Sequence, residues 1–286
     1  MRLGVVGVIP ADLMAFGDQE AQAVRALGFS GVAAHISGNP LDATRESLVH
    51  LRDVLQANGL RLVQFWGWYP SIVTTDNAVR DEGLRAVHKI FEWGAFMGAD
   101  MVGLRPTSTS PNGPWSPDRG NYQAETRARL VASLRQIMPL CEGYGMPAAL
   151  ECHVTTTLDT PQNVRAVLDD VGSPWLKVNL DPVNFVCDLP TAYDTTGLLH
   201  DLFDRLGPSI AAAHVKDVLV EDDHVVHIRE TPPGNGLMDY ATFFRGFEAI
   251  QPDGYALIEH LKWEQIPDAA AFVRRTLDAL NITIRE

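Results

Sequence analysis

The sequence predicts a (β/α)8 TIM barrel that spans residues 1–286 as one domain. Three observations support it. Eight short apolar runs are separated by amphipathic segments or polar loops along the whole chain. The runs are almost continuously hydrophobic, as strands covered on both faces must be. No Gly-x-Gly-x-x-Gly follows the first run, which argues against a doubly wound nucleotide-binding sheet.

The expected strands are 3–9, 32–36, 61–66, 101–105, 148–153, 176–181, 210–215 and 256–260. The expected helices are 42–58, 78–97, 125–142, 161–170, 197–206, 240–250 and 267–280. In the first of these, Leu48, Leu51, Val54 and Leu55 recur at three- and four-residue spacing and form one apolar face. Gly59 then supplies a C-terminal cap. Pro161 and Pro267 stand where a first helical turn tolerates proline. Strand and helix alternating this often favour a closed barrel.

Two connections are long. Residues 107–122 follow the fourth strand and are rich in Pro, Gly, Ser and Asn. Residues 218–235 follow the seventh and contain the alternating run His224-Val-Val-His-Ile228, which suggests a small hairpin. In a barrel, loops after strands lie over the catalytic face, so both are expected to act as lids or walls.

Composition narrows the function. The net charge is −13, which excludes nucleic acid and anionic membrane as natural partners because both need clustered cations. Cys141, Cys152 and Cys187 contain no Cys-x-x-Cys pair, so neither a disulfide framework nor a zinc ribbon is indicated. The opening MRLGVVGVIP reads as a strand rather than a signal peptide, and no apolar stretch is long enough to span a bilayer. A cytoplasmic location is expected.

Four runs end on ionisable residues: Glu151, Asp181, His214 and Glu259. An isolated charge facing a barrel interior is costly. Four on successive strands make sense if a cation holds them at one mouth. Three carboxylates and an imidazole suit manganese first, with magnesium, cobalt or zinc as alternatives.

With these motifs the chain resembles the xylose isomerase-like TIM barrel superfamily, which includes sugar isomerases and epimerases, inosose dehydratases and endonuclease IV. The resemblance covers essentially the whole chain. It rests on LGFSGV (27–32), LECH (150–153), NLDPVN (179–184), AHVKD (213–217), PPGNGLMDY (232–240) and LIEH (257–260), in that order. It implies that Glu151, Asp181, His214 and Glu259 bind one metal. Two departures stand out. Many epimerases carry His where this chain has Asn184, and an Arg shortly after the strand-seven His, where this chain has Lys216 and Asp217. Endonuclease IV needs further His and Glu ligands that are missing here.

Such a site supports proton abstraction beside a carbonyl through a metal-stabilised enediolate. Glu151 and Glu259, on opposite sides of the metal, are the candidate catalytic base and acid, giving epimerisation or isomerisation of a small carbohydrate. Candidate substrate-binding residues are His153, Asn184, Lys216, Arg105 and Trp66. His153 shares the face of Glu151 at strand spacing. Arg105 suits an anionic or polyol group, and Trp66, within Phe65-Trp-Gly-Trp-Tyr69, offers a wall for a sugar ring. Trp115 is a candidate lid contact. His260 should point away from Glu259. The glycines of PPGNG (232–236) suit either a phosphate or a plain turn, and an unphosphorylated substrate is expected. Exposed aromatic loops hint at a homodimer. Two other readings stay open: a lyase dehydrating a keto-sugar or keto-inositol, and a sugar-binding barrel without catalysis.

Overall fold

The structure is a computed structural model that describes residues 1–286. Eight parallel strands close into a barrel. They are β1 (Arg2–Val5), β2 (Gly31–Ile36), β3 (Arg61–Gly67), β4 (Met101–Leu104), β5 (Ala148–Glu151), β6 (Leu176–Leu180), β7 (Ile210–Val215) and β10 (Tyr255–Ile258). Each pairs with its neighbours in chain order, and β1 closes the ring against β10, with Leu3 opposite Ala256 and Val5 opposite Ile258. Between β7 and β10 an antiparallel hairpin, β8 (Asp217–Val220) and β9 (Ile228–Thr231), stands apart from the barrel.

The helices are α1 (Asp18–Ala26), α2 (Arg45–Ala57), α3 (Asn77–Met97), α4 (Ala124–Tyr144), α5 (Pro161–Val171), α6 (Leu189–Tyr193), α7 (Thr195–Leu206), α8 (Tyr240–Ile250) and α9 (Ile266–Ala279). Their ends follow local chemistry. Asp76 accepts hydrogen bonds from the Ala78 and Val79 amides to start α3, and Thr160 accepts from Asn163 to start α5 ahead of Pro161. The main core lies between strands and helices, where apolar side chains of both meet. No helix is long and apolar enough to cross a membrane.

Several sequence expectations need correction. Strand β1 stops four residues early and β4, β5, β6 and β10 one or two; after β4 and β10 the next residues, Arg105 and Glu259, border the mouth, while Cys152 after β5 packs in the core. Pro182, which has no amide to donate, begins a 3-10 turn directly after Asp181. Helix α1 was not expected; only Ala21 and Val24 of its nine residues are buried, so its apolar stripe is faint. The hairpin exists, but the run 224–228 is mostly its tip: Val225 and Val226 are exposed, and of that run only Ile228 pairs.

Inside the barrel a separate small cluster includes Ala33, Trp66, Met101, Ala149, Ala212, Tyr255 and Leu257. The alanines leave room for the indole of Trp66. Gly103 does the same from β4: a Cβ there would stand 2.1 Å from the Trp66 ring. Gly103→Ala should therefore cost about 1–3 kcal/mol through overpacking. Urea unfolding should show a lower midpoint with an unchanged slope, and an unmoved midpoint would mean that Trp66 does not fill that space.

Candidate metal centre

The C-terminal ends of β5, β6, β7 and β10 bring Glu151, Asp181, His214 and Glu259 together. One ligand atom from each lies within 4.8 Å of the others. All four residues are buried. The His214 Nδ1 atom is 2.8 Å from a Glu259 oxygen and 3.8 Å from one of Glu151. Both Asp181 carboxylate oxygens, His214 Nδ1 and Glu259 Oε2 are buried without a hydrogen-bond partner. Buried carboxylate and imidazole atoms gathered this closely are what a cation site requires, and three carboxylates with one imidazole suit a hard divalent ion.

Uncharged residues position His214. Its Nε2 lies 3.0 Å from Gln64 Oε1, to which Trp66 Nε1 also donates. Gln64 Nε2 donates to Asn179 Oδ1 at 2.8 Å. Nε2 also lies 3.0 Å from Asn179 Nδ2, so these two amides occupy it and Nδ1 is the atom left for a metal. Sequence reading missed Gln64 and Asn179. The available signal was a lone amide within each of two apolar strands.

Lys216 points into the cluster rather than beyond it. Its Nζ is 2.7 Å from Asp181 Oδ2, 2.8 Å from Glu259 Oε2 and 3.7 Å from Glu230 Oε2. Asn184 Nδ2 donates to Glu151 Oε1 at 3.1 Å, so this residue orients the glutamate. His153 Nδ1 accepts from the Thr155 amide at 3.1 Å, and its ring lies 5.7 Å from that of Trp115.

Above the cluster lies a hollow of about 430 Å³, lined by Glu151, Glu259, Lys216, His153, Asn184, Arg105, Trp66 and Trp115, with His35, Glu230 and His260 among the rest. Asp181 and His214 sit beneath it. Every candidate substrate-binding residue therefore borders one space. His260 is the correction. Its backbone takes a left-handed φ of 58°, which breaks strand alternation and turns the ring back toward Glu230, 3.0 Å away, and Glu259, 3.5 Å away. His35 and Glu230 were also missed. His35 is a histidine near a strand end, the signal that found the ligands; Glu230 sits on the hairpin and carried none.

The long loops serve as walls. Residues 107–122 are tied to the loop after β5: Asn121 Nδ2 donates to the Thr155 carbonyl at 2.8 Å, and Thr155 Oγ1 donates to the Trp115 carbonyl at 2.8 Å. The hairpin is held by Asp217, whose carboxylate accepts from the amides of Val218, Gly234, Gly236 and Met238 at 2.8–3.0 Å. The two glycine amides of PPGNG are thus taken by Asp217 and the Asn235 amide by the Pro232 carbonyl, and Gly236 has no room for a Cβ against the Val218 carbonyl, 2.2 Å away. A second hollow of about 660 Å³ lies at the opposite end of the barrel, where Arg61 meets Asp100 at 2.7 Å, Arg2 meets Asp253 at 3.5 Å and Arg25 donates to the Phe29 carbonyl.

Electrostatics follow from crowding. Burial works against a charge on His214, but Glu259 and Glu151 outweigh it and push the imidazole up to about 10. Burial raises the Asp181 carboxyl to about 6, with Lys216 pulling the other way. Burial opposes ionisation of Glu259 too, yet His214 and Lys216 hold it well below the usual carboxylate range. Burial, helped by Lys216, lowers His153.

A profile of the xylose isomerase-like TIM barrel family matches residues 21–276. The chain belongs to that family. Among solved structures it is similar to a D-psicose 3-epimerase in the presence of D-fructose, at 19% identity and TM-score 0.74, covering 97% of this chain and 99% of that one. It is similar to a xylose isomerase-like TIM barrel protein from Mycobacterium smegmatis in complex with magnesium, at 18% identity and TM-score 0.73, covering 98% and 96%. It is also similar to the probable 3-DHS dehydratase of petrobactin synthesis from Bacillus anthracis, at 16% identity and TM-score 0.70, covering 96% and 98%. At these identities the likeness is one of fold. No curated protein matches by sequence.

Two outcomes are expected for metal binding. His214 carries a proton at neutral pH and must lose it to coordinate, so affinity should strengthen as pH rises, by about tenfold per unit around neutrality. Calorimetric titration with manganese from pH 6 to 8 measures this; a flat profile would remove His214 from the ligand set. Gln64→Leu removes one of the two amides that hold the imidazole and should weaken affinity about 10- to 100-fold without unfolding the protein.

Proposed function

We propose that the protein is a divalent-metal-dependent isomerase or epimerase of a small carbohydrate, working by proton abstraction beside a carbonyl. The observation that carries this reading is the division of labour among the four clustered residues. Glu151 and Glu259 border the hollow, while Asp181 and His214 lie beneath it. The two glutamates come from β5 and β10, which are separated by β6 and β7, so they approach a bound molecule from different sides.

A divalent ion held by Glu151, Asp181, His214 and Glu259 would act as a Lewis acid that draws charge from a carbonyl and eases loss of the adjacent proton. Manganese fits this donor set best, with magnesium, cobalt and zinc behind it. Glu259 is pinned by His214 and Lys216, which weakens it as a base. Glu151 has one side-chain donor, Asn184, and is the better base. The proton leaves carbon for Glu151, and Glu259 serves the opposite face with Lys216 as the nearby donor. Trp66 and Trp115 wall the space, and His153 meets substrate hydroxyls. The unpaired cysteines go with a cytoplasmic setting.

A dehydratase is the second reading. Asn184 stands where many epimerases carry His, no Arg matches the one they carry shortly after the strand-seven His, and a lyase needs a donor such as Lys216 to protonate a leaving hydroxyl.

The test is incubation of metal-loaded protein with ketoses, aldoses and keto-inositols in D₂O, followed by NMR. Deuterium beside the carbonyl without loss of water supports the isomerase or epimerase. A new enone or diketone selects the dehydratase. Absence of exchange with every compound rejects both in favour of a binding protein. Glu151→Gln and Glu259→Gln should each lower turnover by about a hundredfold or more. Near-normal activity in either would overturn the paired-carboxylate mechanism.

A further inference from the structure

Besides the candidate ligand His214, two basic side chains are buried in this protein, Lys216 and Arg105. Lys216 is met by carboxylates within 2.8 Å on two sides. No acidic side chain lies within ion-pair distance of Arg105. Its guanidinium makes one hydrogen bond, to the Gly67 carbonyl, and stacks 4.9 Å from the Tyr69 ring centroid. Its Nε is buried with no acceptor. A buried cation without a counter-charge is costly and persists where something else supplies the charge.

The backbone around Arg105 is fixed. Its amide donates to Tyr69 Oη, which donates in turn to its carbonyl at 2.7 Å. Two residues on, Thr107 is fully buried at a left-handed φ of 64°, uncommon for a β-branched residue, and its Oγ1 accepts from the Ile72 amide at 3.1 Å. Strain of this kind is retained where a side chain must be aimed, and Arg105 borders the hollow above the candidate metal centre. Of the other charges bordering it, Glu259 is met by Lys216 and His214 and Glu230 by His260, while Glu151, held by Asn184, belongs to the candidate ligand cluster. The nearby His35 is pushed down to about 4, first by burial and then by Arg105, so it adds no second cation.

We propose that the substrate of this site carries a carboxylate, held by Arg105 at the wall of the hollow opposite the β7–β10 side: a sugar acid or keto acid rather than a neutral sugar. This rests on the site reading above and specifies its substrate class. A guanidinium pairs with either anion, but a single one matches the single charge of a carboxylate and leaves the second charge of a phosphate unmet. The turn amides that could have cradled a phosphate are taken by Asp217.

Binding tests this without needing turnover. Trp66 and Trp115 border the hollow, so their fluorescence can report occupancy by D-glucuronate, D-glucose and D-glucose 6-phosphate. The wild type should bind D-glucuronate at least about tenfold more tightly than D-glucose. Arg105→Met should remove that preference and Arg105→Lys should keep part of it, with thermal melts checking that each variant folds. If Arg105→Met does not fold, the Lys variant and the wild-type comparison decide. Equal affinity for acid and neutral sugar, no detectable binding of D-glucuronate, tighter binding of the phosphate, or a preference that survives Arg105→Met overturns the proposal. A carboxylate preference without any deuterium exchange would uphold it while rejecting the isomerase or epimerase; exchange of neutral ketoses without the preference would do the reverse.

Discussion

The arrangement depends on one electrostatic constraint: three carboxylates, an imidazole and an ammonium share a small dry volume at the barrel mouth. Removing such charges from water costs several kcal/mol each unless they meet partners. In this protein Glu259 lies between His214 and Lys216, and Asp181 lies against Lys216. Even so, Asp181 Oδ2, His214 Nδ1 and Glu259 Oε2 are met only by charged neighbours, and Asp181 Oδ1 has no partner. The cluster is thus held short of full satisfaction by the scaffold, the condition under which a divalent ion gains most from entering.

The scaffold holds it at two levels. Beneath the charges, Gln64 and Asn179 form a neutral hydrogen-bonded layer that sets the His214 ring, and Trp66 supports Gln64 while filling the barrel. Around the charges, Asp217 organises the hairpin through four backbone amides, which brings Glu230 to the edge of the hollow. Asp217 adjoins Lys216 in sequence yet does unrelated work. Neighbouring ionisable residues at a strand end can divide into one that faces the site and one that builds the loop beside it.

Arg105 contrasts with Lys216. Both are cations buried in one hollow, but one is neutralised by the protein and the other is not. On the proposed function, this asymmetry gives the hollow a preferred end, with the candidate metal centre on one side and Arg105 on the β4 side. The aromatic walls between them, Trp66 and Trp115, are held by loop hydrogen bonds and by the space that Gly103 leaves.

The barrel was legible in the sequence because alternating apolar strands and amphipathic helices are periodic, local signals. The cluster of Glu151, Asp181, His214 and Glu259 was legible because a charge that ends a buried strand is costly unless an ion or an opposite charge meets it. What the sequence could not determine was direction. His260 follows Glu259 and by alternation should face away, but a left-handed backbone turns it inward. Lys216 was a candidate for substrate, and only the packed barrel puts its ammonium on Asp181. Glu230 enters from a hairpin whose register depends on pairing across the intervening tip. Sequence patterns record which residues must leave water; where a buried charge finds its partner depends on contacts between distant segments, and those exist only once the barrel has closed.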